Sequence, residues 1–286
     1  MLKPPGLSSH SVVNRIRKIL NIKKVGHTGT LDPDAVGVLP ICVGKATRLA
    51  EYLTADNKTY RAVIGFGSET DTQDATGNVT YEANLPNLSY GEFNEILQKF
   101  KGNIEQLPPM YSAIKKDGQP LYKLAREGIV VEREIRKVEI YNIDLFSYNN
   151  KQALINVSCS KGTYIRTLCQ DIGRAAQSAA HMVFLLRTKS GIFNIEKSFT
   201  LDEISLLDPN EFLINPINCL DDFQEIVVEG KTRIDVLHGN KISIDNLDIP
   251  SISNNKYKII DKENNLLAIA NKKNNFIQPE KVFGDV

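Results

Sequence analysis

The stretch Val25-Gly26-His27-Thr28-Gly29-Thr30-Leu31-Asp32-Pro33-Asp34-Ala35-Val36-Gly37-Val38-Leu39-Pro40 is dense in residues that fix backbone shape. Gly26, Gly29 and Gly37 permit a positive φ or the close approach of another backbone. Pro33 locks its own φ and pushes Asp32 toward an extended conformation. Asp32 is therefore expected on a stiff loop. An aspartate before proline also commonly caps a turn, and from this stretch alone a turn cap and a reactive carboxylate stand level.

Two familiar motifs fit the stretch poorly. A phosphate loop needs four residues between its glycine and the Gly-Lys pair, followed by Ser or Thr. Here six residues separate Gly37 from Gly44-Lys45, and Ala46 follows. The Asp32-x-Asp34 pair suggests an aspartyl-phosphate phosphatase. Such a nucleophile should end a buried apolar strand, however, and His27-Thr28-Gly29-Thr30 is not one. That reading stays as a weak alternative and predicts magnesium dependence.

Taken whole, the stretch resembles the G-H-T-G-x-L-D-P-x-A-x-G-x-L-P loop of the bacterial tRNA pseudouridine-55 synthases, the TruB type, whose catalytic aspartate falls on Asp32. A second signature, Lys161-Gly162-Thr163-Tyr164-Ile165-Arg166-Thr167-Leu168, is similar to that family's K-G-T-Y-[IV]-R-[ST]-L. By this resemblance Arg166 pairs with the catalytic aspartate and Tyr164 contacts substrate. Tyr60 matches a tyrosine that lies against the target base, although a cross-strand packing aromatic is the plainer reading of such a residue. Ala180-His181-x-x-x-Leu185-x-Arg187 follows the family's A-H-x-x-x-L-x-R, which places Leu185 against the uracil, while His181 reads as structural. The segments Lys3 to Ser9, Gly67 to Gly77 and Pro108 to Lys115 also fit the family, so the resemblance covers most of residues 3–190. A short apolar strand usually precedes the first of these; the sequence here starts at Met1-Leu2, so either the start is truncated or that strand is absent, and the edge of the first sheet is left open. Residues 67–77 read as a rigid loop of Asx and Thr turns. Glu69 there replaces a frequent arginine, which would remove an RNA contact.

Composition agrees with an ordinary globular chain: 286 residues, 42% hydrophobic and 24% charged, a length that suits about two domains. No apolar run approaches the ~20 residues of a membrane span, and Lys3, Pro4, Pro5 and Gly6 interrupt any signal-peptide core. A cytoplasmic location is the expectation. The four cysteines are scattered without a CxxC pair, and no HExxH occurs, so neither a zinc site nor a redox dithiol is expected. The net charge of +1 hides an uneven distribution. Residues 1–50 carry eight bases and two acids, whereas residues 200–229 carry eight acids and no Lys or Arg. The basic segment would attract phosphates; two unrelated solvated faces are the plainer alternative. Lys115, Lys116 and Lys123 are further phosphate candidates or simply surface lysines.

Periodicity supplies the elements. Val12, Val13, Ile16, Ile19 and Leu20 predict a helix over 9–21, capped by Ser8 or Ser9. Residues 46–53, 90–101, 121–127 and 164–176 predict further helical segments, and residues 38–43, 59–66, 138–148 and 153–160 predict strands. Short β-rich segments after Glu225 suit a small barrel, by position similar to the RNA-binding PUA module of this family. The implied architecture is α+β: a pseudouridine synthase fold with a central mixed, largely antiparallel sheet (1–222) and a PUA-like β-barrel (223–286).

The resemblance implies isomerisation of uridine 55 in the tRNA T loop to pseudouridine. It implies catalysis by Asp32, Tyr60 and Arg166, with His27, Tyr60, Tyr164 and Leu185 binding the substrate. No group is imported and nothing is oxidised, so no cofactor or metal is called for. The implied partner is the tRNA T stem-loop, the protein acting as a monomer without a membrane. A non-catalytic tRNA-binding protein on the same scaffold remains the second hypothesis.

Overall fold

In the computed structural model, which describes residues 1–54, 57–247 and 255–284, the chain forms two compact units. The first gathers Met1–Val12, Gly29–Pro40 and Thr54–Leu201, and the second gathers Val13–Thr28, Ile41–Leu53 and Asp202–Val286.

The first unit is built on an eight-stranded sheet. Its strands run in the order Leu2–Lys3, Val36–Val38, Ala180–Ser190, Lys58–Phe66, Gln152–Cys159, Arg136–Asn149 and Gly102–Gln106, and Phe193–Asn194 pairs with Ala180–Ser190 off this path. Val36–Val38 lies parallel to Ala180–Ser190, while the other neighbours are antiparallel. The expected mixed, largely antiparallel sheet is thus present, and its edge is a two-residue strand at Leu2–Lys3. Side chains alternate across a strand. Accordingly Tyr60, Ala62, Ile64 and Phe66 are buried on one face with Ala153, Ile155, Val157 and Cys159 of the next strand. The helix Tyr90–Gln98 begins at a capping box, Ser89 with Glu92, and packs Phe93 flat on Tyr148, ring centroids 4.4 Å apart. The helix Ile165–Ala175 turns Ile165, Leu168, Cys169 and Ile172 into the core and leaves Arg166, Gln170 and Arg174 on another line at four-residue spacing.

The apolar run after Gly37 is not one strand as expected, and it is divided between the two units. Pro40 lacks an N–H and divides it: Val36–Val38 joins the large sheet, and Ile41–Val43 pairs with Val25–His27. The helix expected over 46–53 begins instead as a 3₁₀ segment, Gly44–Leu49, and becomes α-helical only at Ala50–Thr54. The C-terminal portion is a curled five-stranded half-barrel in the order Gln224–Val227, Lys256–Ile260, Leu266–Lys273, Phe276–Val282, Ile242–Ser243. It surrounds Ile226, Val236, Tyr257, Ile259, Leu267 and Ile277 and is consistent with a PUA-like module. Part of the acidic stretch is neutralised locally, since Glu225 pairs with Lys258 and Glu229 with Lys262.

Candidate active site

The loop carrying Asp32 is held almost entirely through its backbone. Ser9 Oγ donates to the Leu31 carbonyl (3.0 Å) and accepts from the Leu31 N–H (2.9 Å). Lys3, 1% exposed, spends its ammonium on the carbonyls of Pro33 (2.6 Å), Leu7 (2.7 Å) and Pro4 (2.8 Å). Burial pulls that ammonium down to about 8, against the pull of Asp34 and Asp32. Arg187, also 1% exposed, donates to the carbonyls of Val38 (2.7 Å), Gly29 (3.1 Å) and Thr30 (3.4 Å). Gly37 sits at φ +106°, and a Cβ there would lie 2.2 Å from the Arg187 carbonyl oxygen, so only glycine fits. The Ala35 N–H also bonds the Asp32 carbonyl (3.2 Å), which leaves the Asp32 carboxylate outside the turn it helps to close.

That carboxylate meets Arg166, 134 residues away in sequence. The contact is side-on and two-pronged: Nε to Oδ2 at 2.9 Å and Nη2 to Oδ1 at 3.3 Å. Such forked pairs are among the strongest charge-assisted hydrogen bonds. Arg166 donates in addition to the carbonyls of Tyr111 (2.8 Å) and Thr72 (3.0 Å), with Asp74 Oδ2 3.8 Å away. Its side chain is 5% exposed, whereas that of Asp32 is 37% exposed. One partner is locked inside and the other is still reachable. Burial raises the Asp32 carboxyl above its ordinary range. Arg166 is the largest influence opposing this rise and Lys3 a smaller one, while Asp74 adds to it.

Tyr60 and Arg187 stand opposite one another in adjacent strands, and Ala62 and Leu185 form the next register pair on the same face. Burial keeps the Tyr60 phenol protonated, and the hydrogen bond with Arg187 counters part of that shift. Tyr164 caps the Arg166 helix, and its N–H and carbonyl are both held by the Gln106 amide (3.0 and 3.2 Å). The first unit therefore contains Asp32, Tyr60, Tyr164, Arg166 and Leu185. His27 ends a strand of the second unit, paired to Ile41. His181 bonds the Ser68 carbonyl (3.0 Å), a structural use as expected.

Three positions do more than the sequence revealed. Arg187 was visible only as the last letter of a motif, yet it ties the Asp32 loop to the sheet. The 67–77 loop is the rigid turn expected, with Asp74 Oδ1 accepting from Thr72 Oγ1 (2.7 Å), Thr76 N–H (3.0 Å) and Thr76 Oγ1 (2.6 Å). It also presents the Thr72 carbonyl to Arg166. Glu69 is buried and faces Arg174 and Gln170.

Known proteins bear on this geometry. A solved Cbf5-Nop10-Gar1 complex superimposes at a TM-score of 0.76 with 26% identity, covering 99% of this chain and 83% of that one. An H/ACA RNP bound to a substrate RNA containing 2'-deoxyuridine gives the same TM-score of 0.76 at 24% identity, covering 99% and 84%. The fold is that of the pseudouridine synthases. Residues 17–165 match the TruB family pseudouridylate synthase N-terminal domain, and residues 166–211 match the tRNA pseudouridylate synthase B C-terminal domain. Relatives called tRNA pseudouridine synthase B include one from Symbiobacterium thermophilum, 48% identical over 84% of this chain and 80% of its own length. Another, from Bordetella avium, is 49% identical over 74% of this chain and 88% of its own length. The chain belongs to the TruB family of tRNA pseudouridine synthases, which displaces the phosphatase alternative. Among the described residues no helix is long and apolar enough to cross a membrane.

Proposed function

We propose that this protein converts uridine 55 in the T loop of tRNA to pseudouridine, with Asp32 as the catalytic carboxylate. The observation that carries the reading is the forked pair of a partly exposed Asp32 with a buried Arg166. Family membership supplies the reaction class. Substrate and product are isomers. The N-glycosidic bond breaks, the uracil turns, and a bond forms from the ribose to a ring carbon, so atoms and electrons balance without a co-reactant.

Asp32 opens this sequence by adding to the base or by taking a ribose proton once the bond has broken. Both routes start from the ionised carboxylate. Burial works against that form, and Arg166 is the group that offsets it. The base must leave the loop to reach Asp32, at a cost on the order of a few kcal/mol. Tyr60 then stacks on the flipped ring, Leu185 and Tyr164 bound the uracil, and His27, five residues upstream of Asp32, fills the gap. RNA recognition rests on shape, stacking and phosphates, so affinity falls steeply with salt. The protein acts alone in the cytoplasm as a monomer, residues 1–222 catalytic and 223–286 a PUA-like RNA-binding domain.

The test is modified-base analysis of tRNA incubated with the purified protein in EDTA, beside Asp32→Asn. Pseudouridine at position 55 is expected from the natural protein. The variant should bind the same RNA and lose more than about 10³-fold in turnover. Modification at another position, or an active Asp32→Asn, overturns the reading.

A further inference from the structure

The Arg166 helix carries a polar line of three residues at four-residue spacing, Arg166, Gln170 and Arg174, which places them on one side of the helix. All three meet the segment 69–74. At the far end, Arg174 grips Glu69 with two prongs, Nε to Oε1 and Nη2 to Oε2, both at 2.8 Å. One turn nearer the site, Gln170 Nε2 donates to Glu69 Oε2 (2.7 Å) while its Oε1 accepts from Gln73 Nε2 (2.7 Å). Gln73 Oε1 in turn accepts from Thr167 Oγ1 (2.9 Å). At the near end Arg166 bonds the Thr72 carbonyl. Gln73 takes a left-handed φ of +63°, and its carbonyl accepts from the Met182 N–H of the sheet (3.0 Å). The loop is thus anchored on one side to the sheet and on the other to the helix.

Glu69 is the hub of this chain. It is 7% exposed, accepts three hydrogen bonds, and is the group that both Gln170 and Arg174 require. Core packing of Leu168, Cys169 and Ile172 seats the helix, and the bonds along its polar line add to that hold. Holding its second and third turns as well sets the phase at which Arg166 emerges. We propose that Glu69 is a positioning residue for the reaction, acting through Gln170, Arg174 and Gln73 to hold Arg166 in its forked contact with Asp32. The proposal rests on the reading of Asp32 and Arg166 as the catalytic pair. It gives Glu69 an internal use in place of the RNA contact that an arginine would make there.

The experiment measures kcat, KM and the pH profile of pseudouridine formation on a T stem-loop RNA in Glu69→Ala, Gln170→Leu and the swap Glu69→Arg with Arg174→Glu. The acid limb reports Asp32, which faces Arg166, Asp74, Lys3, Tyr60 and Tyr164. Asp171 faces Arg174 and Glu69, and burial pushes it up to about 6. The profile is therefore repeated in Asp171→Asn to remove that titration. Glu69→Ala should lower kcat by roughly 10-fold, as expected for a small misplacement of a reacting pair, with KM within about 2-fold of the natural value and the acid limb moved to higher pH. The swap should recover part of the kcat. A natural kcat and acid limb in folded Glu69→Ala overturn the proposal. Should Glu69→Ala fail to fold, Gln170→Leu cuts the same chain at similar volume, and natural kinetics in it overturn the proposal equally. An active Asp32→Asn in the same assay is a different result, because it removes the catalytic pair itself.

Discussion

The two partners of the Asp32–Arg166 pair are held by opposite means. Asp32 is positioned by its backbone: Lys3, Ser9 and Arg187 bind the carbonyls and N–H groups around it, and its carboxylate is left to one contact. Arg166 is positioned by its side chain, whose guanidinium is bonded to Tyr111, Thr72 and Asp32 at once. A clamped backbone makes a rigid platform whose chemistry stays free. A clamped side chain makes a fixed charge with no freedom left. Damage to the clamps on the Asp32 loop should therefore appear first in stability, and damage to Arg166 first in rate.

Four substitutions would sharpen or break this contrast. Arg187→Met leaves the carbonyls of Val38, Gly29 and Thr30 buried without their donor. It should cost about 3 kcal/mol or more in denaturant unfolding, and a smaller loss would mean that Lys3 and Ser9 hold the loop without it. Gly37→Ala puts a methyl against the Arg187 carbonyl at a positive φ and should cost about 2 kcal/mol by the same measurement.

Arg166→Lys keeps the charge but loses the fork, and should lower kcat by about 10- to 100-fold while thermal unfolding moves little. Its pH profile has a definite sign. The active form is ionised Asp32, and its pKa already lies above the ordinary aspartate range. Activity should thus fall, as pH drops, earlier than for an ordinary aspartate. Weakening Arg166 removes the main lowering influence, so the acid limb should move to still higher pH. An unmoved limb would detach Arg166 from the charge of Asp32. Ser9→Ala removes two hydrogen bonds to Leu31 and should cost about 1 kcal/mol with kcat little changed.

Much of the platform was legible because it is written in residues that have few substitutes. Gly37, Pro33 and the Asp32 just before that proline announce a stiff loop, and the strand and helix periods around Tyr60 and Arg166 gave both elements nearly to their ends. The pairing of Asp32 with Arg166 came from the resemblance, since nothing local links residues so far apart. What stayed hidden are the clamps. Arg187 and Lys3 act on backbone carbonyls, and a carbonyl looks the same on every residue. Glu69 reads only as the loss of an arginine's RNA contact until the helix and loop come together and bury it. The run after Gly37 reads as one strand because its hydrophobicity outweighs the missing N–H of Pro40, which is what divides it.

The clamp on the Asp32 loop comes from a strand laid down far later in synthesis. Val36–Val38 pairs in parallel with Ala180–Ser190, and Arg187 on that strand grips Gly29 and Thr30. A nascent chain emerging from the ribosome has the loop early but must wait for its fastener. Until Arg187 arrives, these carbonyls have only water to bind, and closing so long a span is the slow kind of folding step. The Asp32 loop thus lacks this fastener until the chain has been made as far as Arg187.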